Sequence, residues 1–587
     1  MIERLRRAHD VLFAWMDRRR IHRIAFALLW SAALFGAILG TMRTTFKAND
    51  NVGIQSACQE GLEAPFMSPV LVRFLGWMYQ DVAADVPWYG IFCYASLFWG
   101  FALLIHALSS IRAARPVFLP LTILLSIVYV SFLIRCGYNS SSMLLSGIAV
   151  LAFVAYMAAG RATKTAIAMC ALGLAFAFLF RPRGAQGAMV FVAPAVLAWL
   201  LRHWRAFPLA AVLVFAAPIA IVSTVHTIWT TSWISDEYRD FREFNRKRGK
   251  FHAYPIAKAN LNNRALFKAN HWSGNEYRLF TTFFFFDEDV WNIETISRIF
   301  EMSVDVPLRG GAAEKLHERF HQFTWFLPVV LAGLLLRPRR RRAVVEVVGY
   351  LVYVGALSFV MEWLLRFPER VGDSMLTLTG IGLAWVLFVH ESESRWRELR
   401  IRHLTRWMFG TCLAVATIGW ATLDAAAIDY TSKRSTQFHV MESWFDEWFP
   451  GRHVLAQPAI LLSADQDPLR VYDEKFQLVP TGWQTFSPRF YAHLRKIGLE
   501  RGSQLLPFAI DNSEFFLVFM QPLVPQIVDF VKRQYGVQVK VREFPGLSNI
   551  RFRVFQLVVD PDPIPEGVRY RVEEMDTRFD VNGLGPK

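Results

Sequence analysis

The residues best placed to do chemistry follow the first apolar segment: Lys47-Ala48-Asn49-Asp50-Asn51-Val52-Gly53. Asp50, flanked by the amides of Asn49 and Asn51, sits where a helix would leave an apolar phase. Polar groups kept in such a place pair, line a wet cavity or take part in a reaction. A carboxylate there can accept a proton from an attacking hydroxyl. The same triplet also suits a solvated turn that caps a short helix.

Arginines recur at the ends of later apolar runs. Arg135 is followed by Tyr138, and Arg181 and Arg183 flank a turn-stiffening Pro182. Arg366, Glu369, Arg370 and Asp373 come together further on, and His226 ends another apolar run. Guanidinium is the side chain best matched to phosphate, which it grips through paired hydrogen bonds. Asp50 as a base, with Arg181, Arg183, Arg366 and Arg370 on a lipid phosphate, would therefore form a transfer site. Asn49, Asn51, Arg135, Tyr138, His226 and Glu369 would support its pocket. Each residue also has a plainer reading. An arginine at a span end can snorkel to lipid headgroups, Glu369–Arg370 can be a structural ion pair, and His226 a satisfied polar group. Asp287 and Asp289 follow Phe283–Phe286. They either join Asp50 around a divalent ion (Mg or Mn) or form the solvated end of a segment dipping into the interface. There is no P-loop, GxSxG, HExxH or paired CxxC, which argues against ATP-driven transport and the common hydrolases.

These residues need a membrane to position them. Of 587 residues, 54% are hydrophobic and only 19% charged, too apolar for an ordinary soluble enzyme. Apolar runs of spanning length recur. They predict eleven helices: Ile24–Thr41, Tyr89–Leu108, Val117–Leu133, Ser141–Ala159, Ala166–Phe180, Ala188–Leu201, Leu209–Trp229, Phe323–Leu336, Ala343–Leu365, Met375–His390 and Trp407–Ala427. The net charge of +15 would suit nucleic acid, but the arginines cluster in short loops between apolar runs. That is the positive-inside pattern, so membrane lipids are the expected partner and nucleic acid is not. It places the N-terminus in the cytoplasm, with no cleavable signal peptide. Segments 43–88 and 232–322 then lie outside, and Ser68–Tyr79 in the first reads as an amphipathic surface helix.

The composition changes near Tyr430. Residues 1–429 read as the membrane domain and 430–587 as a small mixed α/β domain on the outer side. Strands are expected at Ala459–Leu462, Phe515–Phe519, Val537–Val541 and Phe552–Val559, with helices at Pro488–Glu500 and Val524–Tyr535. The five cysteines show no metal spacing. Cys58 and Cys136 share the outer side, where they can form a disulfide or remain separate thiols.

Asn49-Asp50, Gly61 and Pro65, Trp88-Tyr89, Glu243-Phe244-Asn245 with Arg248, and Phe286-Asp287-Glu288-Asp289 resemble features of the GT-C superfamily of integral membrane glycosyltransferases, in particular bacterial polytopic proteins with that layout. The resemblance spans roughly residues 20–400. It implies a catalytic aspartate at Asp50, a polyprenyl-phosphate-linked sugar donor, and chemistry on the outer face of the bacterial inner membrane. The doubled acidic motif of the metal-dependent members is replaced here by Asn49 and Asn51. The expected activity is sugar transfer to an envelope glycan, such as a surface polysaccharide, or to a protein. A polymerase or ligase of lipid-linked glycans, a flippase or transporter, and a non-catalytic scaffold are the alternatives.

Overall fold

The structure is a computed structural model that describes residues 11–47, 49–111, 118–203, 209–253, 260, 262–303, 340–364, 368–388, 403–457, 466–471, 475–545 and 552–559. The membrane part is built from α1 (Arg20–Thr41), α4 (Trp88–Ser110), α5 (Phe118–Ile134), α6 (Tyr138–Ala158), α7 (Lys164–Phe180), α8 (Pro182–His203), α9 (Leu209–Ile228), α11 (Arg340–Leu364) and α12 (Glu369–Phe388). Six described helices are long and apolar enough to cross a membrane, and α5, α7 and the apolar part of α12 are shorter. Each expected span within the described residues is a helix. The one at Phe323–Leu336, and the expected strand at Ala459–Leu462, lie outside them.

The centre of the bundle is α6, which packs against α4, α7, α8 and α12. It is apolar or small on every side, the pattern of a helix with no outward face. Its serines let neighbouring backbones approach closely and hydrogen-bond across them. Ser141 donates to the Cys93 carbonyl (3.1 Å) and Ser142 to the Ala177 carbonyl (2.8 Å). By contrast, α9 keeps Leu209, Leu213, Ile221 and Val225 exposed, which suits a lipid-facing surface.

Outside the bundle, two two-residue strands pair in parallel, β1 (Thr45–Phe46) with β2 (Arg135–Cys136). This clip ties the segment leaving α1 to the α5–α6 junction. Immediately after β1 come α2 (Asn49–Gln59) and then α3 (Pro69–Trp77), the expected surface helix. Proline at the first turn of α3 suits a position whose amide has no helical partner. Cys58 and Cys136 are buried free thiols, so they do not form a disulfide.

The composition shift at Tyr430 falls inside an unbroken helix, α13 (His403–Trp448). At 1.5 Å per residue it is roughly 70 Å long, enough to carry the chain out of an apolar layer and well beyond it. It leads into a five-stranded sheet of order β4-β3-β5-β7-β6: β3 (His453–Ala456), β4 (Gln477–Leu478), β5 (Phe515–Met520), β6 (Lys540–Glu543) and β7 (Phe552–Val558). β3 runs parallel to β4 and β5, while β7 is antiparallel to β5 and β6. Helices α14 (Pro488–Lys496) and α15 (Val524–Tyr535) accompany the sheet. The segment after α9 shares its core with the sheet region. Its Phe251, Tyr277, Phe280, Phe284 and Trp291 share one core with Leu455, Phe490, Leu517, Phe530 and Phe555 of the sheet region. Burying so much aromatic area makes the segment after α9, which includes α10 (Asp236–Ala253), and the sheet region one packed unit.

Candidate active site

Asp50 lies in the first turn of α2, only 8% exposed. The Tyr138 hydroxyl, from the first residue of α6, donates to Asp50 Oδ2 at 3.2 Å. The next residue, Asn51, anchors this arrangement. Its Oδ1 accepts from the Tyr89 hydroxyl (2.8 Å) and from the Tyr138 backbone N–H (3.0 Å). A Cβ at Gly137 would come within 3.0 Å of the Asn51 amide, so glycine there allows the close approach. Asn51 thus fixes the start of α2 against the start of α6, and Asp50 and Tyr138 meet as a result.

Two guanidinium groups converge on this carboxylate and phenol. Arg181, which ends α7, stacks over the Tyr138 ring with its Cζ 5.1 Å from the centroid. Its Nη1 is buried and has no hydrogen-bond partner among the described residues. Arg248, in α10, is 6% exposed, lies within electrostatic range of Asp50, and stacks on Phe283 and Phe285. Asn245 Oδ1 accepts from its Nε at 3.1 Å and also from Nη2. Burial pushes the Arg248 guanidinium down to about 10, and the Asp50 carboxylate works against that shift. At neutral pH Arg248 therefore remains a cation. Nearby, Lys47 pairs with Asp373 on α12 and lies 5.4 Å from the Phe132 ring centroid.

The rim of the site is aromatic and strained. Phe66 stacks on Tyr138 (6.3 Å) and meets Trp483 at a tilt (5.7 Å). Its φ of 75° is unusual for a bulky side chain. Phe283 beneath Arg248 has φ 67°. Such conformations cost of order 1–3 kcal/mol each and persist where the surroundings over-determine them. From the sheet region, Trp483 and Gln484 lie directly on Gly53, one turn after Asp50, where any Cβ would overlap both. A buried carboxylate, a phenol and two cations under an aromatic rim can take a proton and stabilise a phosphate-bearing leaving group.

No family model matches the chain, and no curated protein matches it. Among solved structures, it is similar to ArnT from Cupriavidus metallidurans bound to undecaprenyl phosphate, at 10% identity over 91% of this chain and 97% of that one, with a TM-score of 0.36. The apo form of the same protein matches with a TM-score of 0.35. The assignment of the site rests on this chain's own residues.

The other expected site residues are more scattered. Arg183, on the first turn of α8, is exposed, whereas Arg181 two residues earlier is part of the cluster. His226 Nδ1 bonds Ser68 Oγ at 3.1 Å at the start of α3, and its ring meets Phe178 edge-on. It ties α9 to α3. Arg135 contributes through the backbone pairing of β2 with β1. Glu369 and Arg370 open α12, one turn before Asp373, but their side chains lie outside the described residues, as does that of Asn49. Arg366 lies outside them altogether.

The carboxylates proposed for a metal have other partners. Asp287 is fully buried, accepts from the Tyr535 hydroxyl (2.7 Å), and caps the turn through the Asp289 N–H (3.0 Å). Asp289 pairs with Arg501 at 2.5 Å. Among the described residues no group of three His, Cys, Asp or Glu is arranged to hold an ion.

Sequence reasoning gave Arg248 and Asn245 no site role, although both stood in a motif noted for its resemblance. Tyr89 likewise stood in such a motif without a site role, and Phe66, Trp483 and Gln484 carried no sequence signal, since only long-range packing brings them to Asp50.

Proposed function

We propose that the chain is a glycosyltransferase of the bacterial inner membrane, of the GT-C type. It would move a sugar from a polyprenyl-phosphate donor to an envelope glycan or protein on the outer face. The observation that carries this reading is the buried carboxylate bonded to Tyr138 with Arg181 stacked on the same ring. In the proposed step, an acceptor hydroxyl attacks the anomeric carbon of the donor sugar. Asp50 takes the hydroxyl proton as the new C–O bond forms. The bond from the anomeric carbon to phosphate oxygen breaks, and polyprenyl phosphate leaves with both bonding electrons. Arg181 and Arg248 offset the negative charge that grows on it. Tyr138 holds Asp50 in place, and the Phe66 and Trp483 rings screen the site from water.

The test is transfer by full-length protein in lipid nanodiscs, with a panel of undecaprenyl-phosphate sugars as donors and release of undecaprenyl phosphate as the readout. Turnover with at least one donor, lost in Asp50→Asn, supports the reading. Equal turnover in both proteins rules out Asp50 as the base and favours an arginine-centred polymerase or ligase. Lipid binding without any turnover favours transport.

A further inference from the structure

The helix that carries Asp50 has a second face, which lines a cavity. Residues 50, 53, 54 and 57 of α2 share one side at helical spacing, while 52, 55, 56 and 59 occupy the other. On that other side lies a cavity of about 1100 Å³ between residues 55–85 and the sheet region. One wall is Gln55 and Gln59 of α2, and the opposite wall is α14. There Arg489, His493 and Lys496 recur at i, i+4 and i+7 on one face, while Phe490 and Leu494 turn into the aromatic core. Arg470 closes a third side. Asp50 and its cluster do not line this cavity.

Its chemistry is specific. Gln55 Nε2 donates to the Arg470 carbonyl (3.1 Å) and its Oε1 has no partner among the described residues, while the Gln59 amide carries donors and an acceptor, as sugar hydroxyls do. His493 behaves the same way, because burial first, then His453, Arg489 and Lys496, push its imidazole down to about 3, leaving it neutral. Three cations line the cavity against two carboxylates, Glu60 and Asp85, and Arg470 also pairs with Glu442 outside the lining at 3.9 Å. Glu60 is already engaged by Arg489 Nε at 2.8 Å. Lys496 is exposed and makes no ion pair among the described residues. At this size the cavity exceeds the usual range of about 300–1,000 Å³ for a single small ligand. A chain of several sugar rings fits better than one compact molecule.

We infer that this cavity binds an acidic oligosaccharide, the acceptor glycan or a stretch of it, through hydroxyl-matching amides on α2 and cations on α14. This assignment rests on the sugar-transfer reading. The two faces are joined by one contact: Arg489 Nη1 donates to Gln484 Oε1 at 3.0 Å, and Gln484 lies on Gly53 beside Asp50. A glycan that moves Arg489 would therefore press on the turn that holds the carboxylate.

The test is equilibrium binding to full-length protein in detergent, with hexagalacturonate as the acidic probe and maltohexaose as the neutral one of equal length. Hexagalacturonate should bind at least about tenfold more tightly, a difference of about 1.4 kcal/mol. Lys496→Glu should weaken it about tenfold, with a shallower salt dependence, and Gln59→Ala by a smaller factor. Asp50→Asn should bind like wild type, so a missing transferase activity would leave this result intact. No hexagalacturonate binding, equal binding of both probes, or indifference to Lys496→Glu would overturn the proposal. Lys496 is exposed, and near-identical thermal melts would show that its variant folds.

Discussion

Two buried aspartates mark opposite uses of the same side chain. Asp50 and Asp287 are both nearly inaccessible, and each accepts a hydrogen bond from a tyrosine hydroxyl. Around Asp287 the remaining neighbours complete a fold. Its carboxylate caps the Asp289 N–H inside an aromatic core, and burial pushes its pKa up, with the Tyr535 bond and the backbone working against that. Around Asp50 the neighbours are cations from α7 and α10, the strained Phe66, and Trp483 from the sheet region. Burial does not separate a reacting carboxylate from a structural one. What separates them is whether the surroundings hold charge in reserve for something that arrives.

The sharpest way to break this comparison is at Asp50 itself. Asp50→Asn should lower transfer by roughly 10²–10⁴-fold with little change in melting temperature, because the amide keeps the shape and the Tyr138 contact. Next comes Arg181→Ala, which removes a cation stacked on Tyr138. Losing a charged hydrogen bond typically costs about 1.5–3 kcal/mol, so undecaprenyl phosphate binding should weaken about tenfold or more. Titration of the labelled lipid into nanodiscs measures it.

Asp287→Asn should leave activity per folded molecule unchanged and show its effect in stability instead. A carboxylate whose folded pKa lies above its ordinary value of 3.8 contributes stability that is complete below that value and is lost as pH rises through the folded one. The wild type should therefore melt progressively lower relative to Asp287→Asn as the pH rises above the ordinary carboxylate value. A constant gap would contradict the assignment. The smallest effect belongs to Arg183→Ala. The residue is exposed beside a clustered arginine, and its loss should shift stability by no more than about 0.5 kcal/mol and lipid affinity by less than about twofold.

How much of this was legible in the sequence follows the range of the interactions involved. The bundle was, because each span is a local run of apolar residues. Asp50 stood out because its triplet is a local anomaly. Arg181 and Arg183 looked equivalent, since the turn that sends one against Tyr138 and leaves the other exposed depends on how α7 and α8 pack. Arg248 reaches Asp50 only because the segment after α9 shares its core with the sheet region. β1 and β2 are two residues each and carry no periodicity at all, yet they bring Tyr138 to Asp50. The strand expected at Val537–Val541 forms instead at Lys540–Glu543, and β3 was missed for its brevity.

The most direct measurement puts both aspartates in one assay. Turnover and undecaprenyl phosphate affinity would be measured side by side for wild type, Asp50→Asn and Asp287→Asn in the same nanodiscs. The account predicts that Asp50→Asn keeps its affinity and loses turnover, while Asp287→Asn keeps both per folded molecule. Turnover retained in Asp50→Asn, or lost equally in the two variants, would contradict it.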